Sequence, residues 1–238
     1  MLPLQQKNFL ITLQVAMNKI NYQKILDGII EENSQNGVVP KLLLHACCAP
    51  CSSYCLEYLP NFFEITVFYF NPNISLKEEY EYRLNEEKRL ISLMEFKNPV
   101  KIVDGEYNPN AFYKEVKGLE NEPEGGKRCE KCFRLRLEAS AKEAKKLGCD
   151  YFATTLTISP LKNAGLINTI GEQIGQKYGV KWLFSDFKKK EGYKRSIILS
   201  KKYELYRQNY CGCIFSKRMS ESGVILSAQS PSSDKKLI

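Results

Sequence analysis

The sequence predicts an α/β fold, a three-layer parallel sheet with helical extensions. Three observations carry that prediction. Short apolar or β-branched runs recur along the chain, and segments of helical periodicity alternate with them. Strands alternating with helices build a parallel sheet covered on both faces. With 238 residues, 43% of them hydrophobic, the chain can bury one sizeable core.

Taken in order, the first 36 or so residues place Phe9, Leu10, Leu13, Met17 and Ile20, then Ile25, Leu26, Ile29 and Ile30, at helical spacing. One or two amphipathic helices outside the sheet are expected, ended by the turn residues Asn33 to Gly37. The first strand covers about 41–46 and a helix runs from about Pro50 to Tyr58. Glu64 to Phe70, rich in β-branched and aromatic residues, reads as the second strand and stops at the turn Asn71-Pro72-Asn73. A charged helix spans about 76–94, a short strand 100–103, and Asn108-Pro109-Asn110 opens a helix up to about Val116. The polar loop 120–126 leads to a helix reaching about Leu147. Strand four is 151–155, Ser159-Pro160 is expected to cap the next helix, and strand five is 180–184. Beyond Phe184 the pattern changes to short basic helices.

The cysteines are not scattered. Cys47, Cys48 and Cys51 follow the apolar run Leu42-Leu43-Leu44-His45-Ala46, in a strand-to-helix turn with Pro50 in the first helical turn. That turn sits at the carboxyl end of a strand, the ligand edge of an open α/β sheet, and a helix N-terminus favours thiolate charge. Cys129 and Cys132 stand at i, i+3 near a helix start, hence on one face. Cys211-Gly212-Cys213 forms a third group. Four or five thiolates leave zinc or an iron–sulfur cluster as the candidates, and spacing does not separate the two. A disulfide across Cys-x-Cys is strained and easily reduced, which suits redox cycling and favours a cluster; two more metal ligands are the alternative. Cys55 and Cys149 read as core residues.

Other candidates lie at the same sheet edge. His45 is the only histidine in the chain; it is either a proton donor or a hydrogen-bonded strand residue. Asp186 follows the fifth strand and could ligate a metal, pass a proton or cap a helix. Thr154, Thr155 and Ser159 end another strand, where hydroxyls can bind phosphate or cap. The net charge is +8, and from Lys188 to Arg218 ten Lys or Arg stand against Glu191 and Glu204, interleaved with Tyr193, Tyr203, Tyr206 and Tyr210. Cations for phosphates with rings for bases make an RNA footprint; a solvated basic face is the plain alternative. No apolar run is long enough to cross a bilayer and the first residues lack a signal-peptide pattern, so a cytoplasmic protein with no membrane partner is expected.

Together the motifs resemble a known family, the cobalamin-independent epoxyqueuosine reductases, or QueH family. The matching stretches are His45-Ala46-Cys47-Cys48-Ala49-Pro50-Cys51, Phe70-Asn71-Pro72-Asn73-Ile74, Gly125-Gly126-Lys127-Arg128-Cys129-Glu130-Lys131-Cys132-Phe133-Arg134-Leu135-Arg136-Leu137, Thr154-Thr155-Leu156-Thr157-Ile158-Ser159-Pro160, Ser185-Asp186-Phe187-Lys188-Lys189 and Tyr206-Arg207-Gln208-Asn209-Tyr210-Cys211-Gly212-Cys213. The resemblance implies reduction of epoxyqueuosine to queuosine at the wobble position of tRNA, a [4Fe-4S] cluster, and a fold like the adenine-nucleotide α-hydrolase and PP-loop (HUP) superfamily. The first strand is followed by cysteines rather than a PP-loop phosphate cradle, which argues against ATP binding. On this reading Cys47, Cys48, Cys129 and Cys132 hold the cluster, and Cys51 binds an additional iron or meets substrate. Cys211 and Cys213 cycle between dithiol and disulfide, fed by an external electron donor, and Asp186, His45 or Tyr210 delivers a proton. The chain then divides into an N-terminal helical extension (1–37), an α/β iron–sulfur catalytic domain with a basic C-terminal part (38–218) and a tail expected to be disordered (219–238). A zinc-stabilised tRNA-binding protein and a PP-loop-like tRNA thiolase are the rival readings.

Overall fold

The structure, a computed structural model, describes residues 20–221. The helical pattern expected around Phe9 to Met17, and the tail beyond Glu221, lie outside the described residues. Five parallel strands form one sheet in the order β3-β2-β1-β4-β5. Strand β1 (Lys41–His45) is central, in register with β2 (Glu64–Tyr69) on one side and β4 (Tyr151–Thr154) on the other. Strands β3 (Val100–Asp104) and β5 (Lys181–Trp182) are the edges. A central parallel strand is covered on both faces, so Leu42 to His45 are all fully buried and read as one apolar run.

Successive side chains point to opposite faces, and this splits the core into two layers. Leu42 and Leu44 pack with helices α1 (Tyr22–Gln35), α2 (Ala49–Tyr58) and α3 (Lys77–Leu93), through Leu26, Leu56 and Leu84 among others. Leu43 faces the other layer. After the short helix α4 (Pro109–Glu115), helices α5 (Lys127–Lys146) and α6 (Ala164–Tyr178) supply Phe133, Leu137, Ile167 and Ile170 to it. Helix α7 (Gly192–Lys202) packs on α2, and α8 (Ile214–Glu221) closes the described chain. The three-layer parallel α/β architecture is therefore as the sequence predicts. Among the described residues no helix is long and apolar enough to cross a membrane.

Two local expectations change. Ser159 does not cap the next helix: it ends a short 3-10 turn (Thr155–Ile158), a loop follows, and Asn163 caps α6 by accepting from the Leu166 N–H at 3.1 Å. The fifth strand keeps only Lys181–Trp182; Leu183 N–H still donates to Phe152 O at 2.9 Å, and the Asn168 side chain then takes over the backbone at Ser185. Asn168 Nδ2 donates to Ser185 O at 2.8 Å, and its Oδ1 accepts from Ser185 N at 3.1 Å and Trp182 Nε1 at 2.9 Å.

Helix α6 lies directly on that tryptophan. A Cβ at Gly171 would overlap the Trp182 ring. Gly171→Val should therefore destabilise the protein by about 1–3 kcal/mol despite its gain in side-chain burial. Urea unfolding measures it; an unchanged midpoint would show that α6 can lift away freely.

Candidate functional site

The turn after β1 is pinned from three sides. Ala46 N–H donates to Phe68 O at 3.0 Å, Asn71 Nδ2 donates to Ala46 O at 2.8 Å, and Cys47 N–H meets Thr155 Oγ1 at 3.4 Å. Cys48, extended at φ −175°, is the N-cap of α2, and its carbonyl accepts from the N–H groups of Cys51 and Ser52 and from Ser52 Oγ, each at 3.1 Å. This fixes the Sγ atoms of Cys47, Cys48 and Cys51 within 4.8 Å of one another. Among the described residues it is the one group of three or more His, Cys, Asp or Glu side chains placed to share a metal ion.

Hydrogen bonding among the three thiols drives their acidities apart. Hydrogen bonds from Cys48 and Cys51 bring the Cys47 thiol well below its ordinary range against the cost of burial, helped by Lys162 and by Thr155, whose hydroxyl lies 3.5 Å from Cys47 Sγ. The same hydrogen bonds push Cys48 up to about 12 and Cys51 well above its ordinary range.

Cys129 and Cys132 open α5, where Cys129 Sγ accepts the Gly125 N–H at 3.2 Å. They line a cavity of about 100 Å³ together with Cys211 and Cys213. A larger cavity of about 380 Å³ is lined by Cys47, Cys48 and Cys51, and also by Cys211. Cys211 is thus the cysteine common to both, along with Arg136 and Lys162. The expected quartet of Cys47, Cys48, Cys129 and Cys132 is distributed over two adjoining cavities, and Cys51 joins the first pair. Burial raises Cys132 to about 12 and Cys213 to about 11. All nine cysteines are free thiols. Gly212 lies at φ +116°, a left-handed backbone that suits glycine, and its carbonyl accepts from Ser75 N–H at 3.2 Å.

The remaining sequence candidates separate. Tyr210 lines the larger cavity beneath the Arg83 guanidinium, 5.1 Å from its ring centre. Asp186 is ion-paired to Lys188 at 2.8 Å and lines neither cavity. His45 is fully buried; Nε2–H donates to Phe70 O at 3.0 Å, so Nδ1 accepts from the Thr154 hydroxyl at 2.8 Å. Burial, then the Arg136 charge, lower it to about 3, so it is neutral. Of the four interleaved tyrosines, Tyr193 and Tyr210 line the large cavity, whereas Tyr206 packs edge-on against Tyr82 at 4.8 Å and Tyr203 sits under Lys202. Lys188 and Lys190 are paired with Asp186 and Asp27.

Sequence reasoning did not single out three charged groups. Arg136 is 1% exposed and lies one helical turn after Cys132, a spacing that puts both on one face. Burial works against its charge; negative charge on the sulfurs of Cys132, Cys211, Cys47 and Cys129 would favour it. Lys162, half-buried, would be favoured in the same way by Cys211, Cys47 and Cys51. Glu87 on α3 is fully buried with neither carboxyl oxygen hydrogen-bonded, and burial raises it to about 8.

Comparison with known proteins adds the following. The sequence model of the family described as "Epoxyqueuosine reductase QueH" matches residues 42–219. A protein of that name from Staphylococcus epidermidis is 46% identical over 211 residues, 86% of this chain and 88% of its own length. The one from Streptococcus pyogenes serotype M1 is 45% identical over 203 residues, 84% of this chain and 80% of its own. Among solved structures, NMN synthetase from Francisella tularensis aligns with a TM-score of 0.46 at 12% identity, over 85% of this chain and 80% of its own.

The Glu87 environment predicts a pH dependence. A carboxyl raised from 4.5 to about 8 on folding costs nothing below the unfolded value. As pH rises, the unfolded chain ionises while the folded one holds its proton, so stability falls by up to ~1.4 kcal/mol per pH unit until the folded group also ionises. Glu87→Gln should remove that slope. Urea unfolding at pH 5 and pH 8 is expected to show the variant gaining on the parent as pH rises; parallel pH profiles would refute a buried neutral carboxyl.

Proposed function

The chain belongs to the epoxyqueuosine reductase QueH family, and from that premise we propose that it reduces the epoxide of epoxyqueuosine, carried at the wobble position of a tRNA, to the alkene of queuosine. The observation that carries the reading is the convergence of thiols: three within 4.8 Å, and four more around an adjoining cavity with Cys211 common to the two. Soft thiolate donors backed by the buried Arg136 and the half-buried Lys162 fit a metal centre, and a [4Fe-4S] cluster in particular. Cys47 and Cys48, with Cys129 and Cys132 from α5, are the proposed ligands; Cys51 is the candidate for an additional iron. Such a cluster, when bound, supplies electrons singly and a Lewis-acidic iron for the epoxide oxygen.

The chain's own residues do the rest. The larger cavity takes the modified base, with Tyr193 offering a ring to stack on. Conversion of the epoxide to alkene and water consumes two electrons and two protons. Oxidation of the Cys211 and Cys213 dithiol to a disulfide releases the same number of each, and an external donor restores the dithiol. Of the proton-donor candidates, Tyr210 lines the larger cavity, whereas Asp186 and the doubly engaged His45 line neither cavity. Exposed cations on α7, Lys201 and Lys202, serve the tRNA backbone.

The direct assay digests tRNA after incubation and measures loss of epoxyqueuosine and gain of queuosine, which should require a reductant. Serine at Cys47, Cys48, Cys129 or Cys132 should lower iron content and abolish turnover. Cys211→Ser and Cys213→Ser should keep the iron and lose multiple turnover; iron loss in either would move that residue into the metal site. Affinity for tRNA should fall steeply between low and moderate salt, as counterion release demands. Charge reversal at Lys201 with Lys202 should flatten that slope with iron unchanged, and salt-indifferent binding would exclude a phosphate-contacting surface.

A further inference from the structure

Arg136 is a buried cation without a matching anion. Its Nη1 donates to Asn71 Oδ1 at 3.2 Å, while Nε and Nη2 have no hydrogen-bond partner. Among the described residues no carboxylate forms an ion pair with it or with Lys162. Glu124, the carboxylate lining the same two cavities, accepts instead from Ser216 Oγ at 3.4 Å. Charge buried this way is costly unless something anionic answers it. A surface role is closed to a side chain 1% exposed, and the guanidinium borders both thiol-lined cavities. Asn71 holds it there. The same amide that clamps Ala46, next to Cys47, through Nδ2 receives Arg136 through Oδ1.

We propose that Arg136, assisted by Lys162, is the fixed positive pole of the site: its unpartnered N–H groups face the anionic sulfur of the thiolate-held metal centre and raise that centre's reduction potential. The inference rests on the metal-centre reading above and adds a positioning residue to it. Adding an electron makes a thiolate-ligated centre more negative. A positive charge at fixed distance in a dry site therefore favours the reduced state more than the oxidised one. Arginine suits the task because it cannot lose its proton and presents its N–H groups in a rigid fork. A tRNA phosphate is the other anion that such a fork could answer, and the experiment separates the two.

The test uses full-length protein reconstituted anaerobically, as the parent chain, Arg136→Lys, Arg136→Gln and Lys162→Gln. Iron and sulfide are measured first, then the midpoint potential by redox titration followed by electron paramagnetic resonance, then tRNA affinity. Arg136→Gln is expected to keep its iron and lower the reduction equilibrium constant at least tenfold, about 59 mV for one electron. Lys162→Gln should shift it the same way by less, and Arg136→Lys should recover most of the parent value. An iron-loaded Arg136→Gln with an unmoved potential overturns the inference, and weakened tRNA binding with that unmoved potential assigns the fork to a phosphate. If Arg136→Gln holds no iron, Lys162→Gln decides, and an unmoved potential there overturns it as well. Absence of iron from the parent protein fells the metal reading itself, before any substitution is compared, and this inference with it.

Discussion

Three thiols within 4.8 Å of one another cannot all be thiolates in a buried turn, and the rest of the site follows from that limit. Hydrogen bonds among them lower the Cys47 thiol and push those of Cys48 and Cys51 up, so that these two hold their protons more tightly. To bind a metal the group must shed those protons. That release needs positive charge nearby, from the metal and from Lys162 and Arg136, the two cations bordering both cavities. The turn that carries the thiols must also stay put as its charge changes. It does so because Ala46 is tied to β2 and Asn71, and Cys47 to the threonine that follows β4.

The sheet supplies this rigidity through its order. A central strand flanked by β2 and β4 ends where the carboxyl ends of both neighbours can reach its turn. Asn71 comes from one side, Thr155 and the His45–Thr154 pair from the other. His45 thereby spends both nitrogens as a strut between the Phe70 carbonyl and Thr154, and its neutrality spares the site a second buried cation beside Arg136. The pocket wall that closes over the thiols comes from the C-terminal segment, anchored by Gly212 O on Ser75 and by Ile214 N–H on Ser75 Oγ at 2.9 Å.

Much of this was legible in the chain. The apolar run before Cys47, the proline after it, and the alternation of strands and helices give the central strand, its turn and the parallel sheet. What local pattern does not show is which loops meet beyond the sheet. Cys48 and Cys51 are three apart at a helix start, so their proximity can be read; the pairing of the Cys129 helix with the Cys211 loop around one cavity depends on how α5 and the C-terminal segment cross the strand ends. Side chains that replace backbone partners are equally hidden: Asn168 binds both backbone groups of Ser185, just past an apolar pattern that continues to Phe184 although β5 has two residues. Arg136 sits in a polar-looking helix, and only burial and the lack of a facing carboxylate distinguish it from its exposed neighbours.

Under the redox role proposed for Cys211 and Cys213, the position of Cys211 between the two cavities has a purpose. A dithiol that feeds electrons to a reacting centre must approach it, yet must also reach an external donor to be reset. Cys211 borders the cavities of both the Cys47 group and the Cys129 pair, whereas Cys213 borders the smaller one and is held by the Ser216 N–H at 3.4 Å. The mobile partner of such a pair should be the one with fewer restraints on sulfur, and Cys211 is held through its backbone: its N–H by Ser216 Oγ at 3.0 Å and its carbonyl by Arg83 at 3.4 Å. Gly212, with no side chain to clash in its left-handed backbone, brings both cysteines to the smaller cavity while Cys211 also reaches the larger one. In the proposed redox role, this loop would fix where electrons arrive through its backbone hydrogen bonds rather than through the Cys211 sulfur.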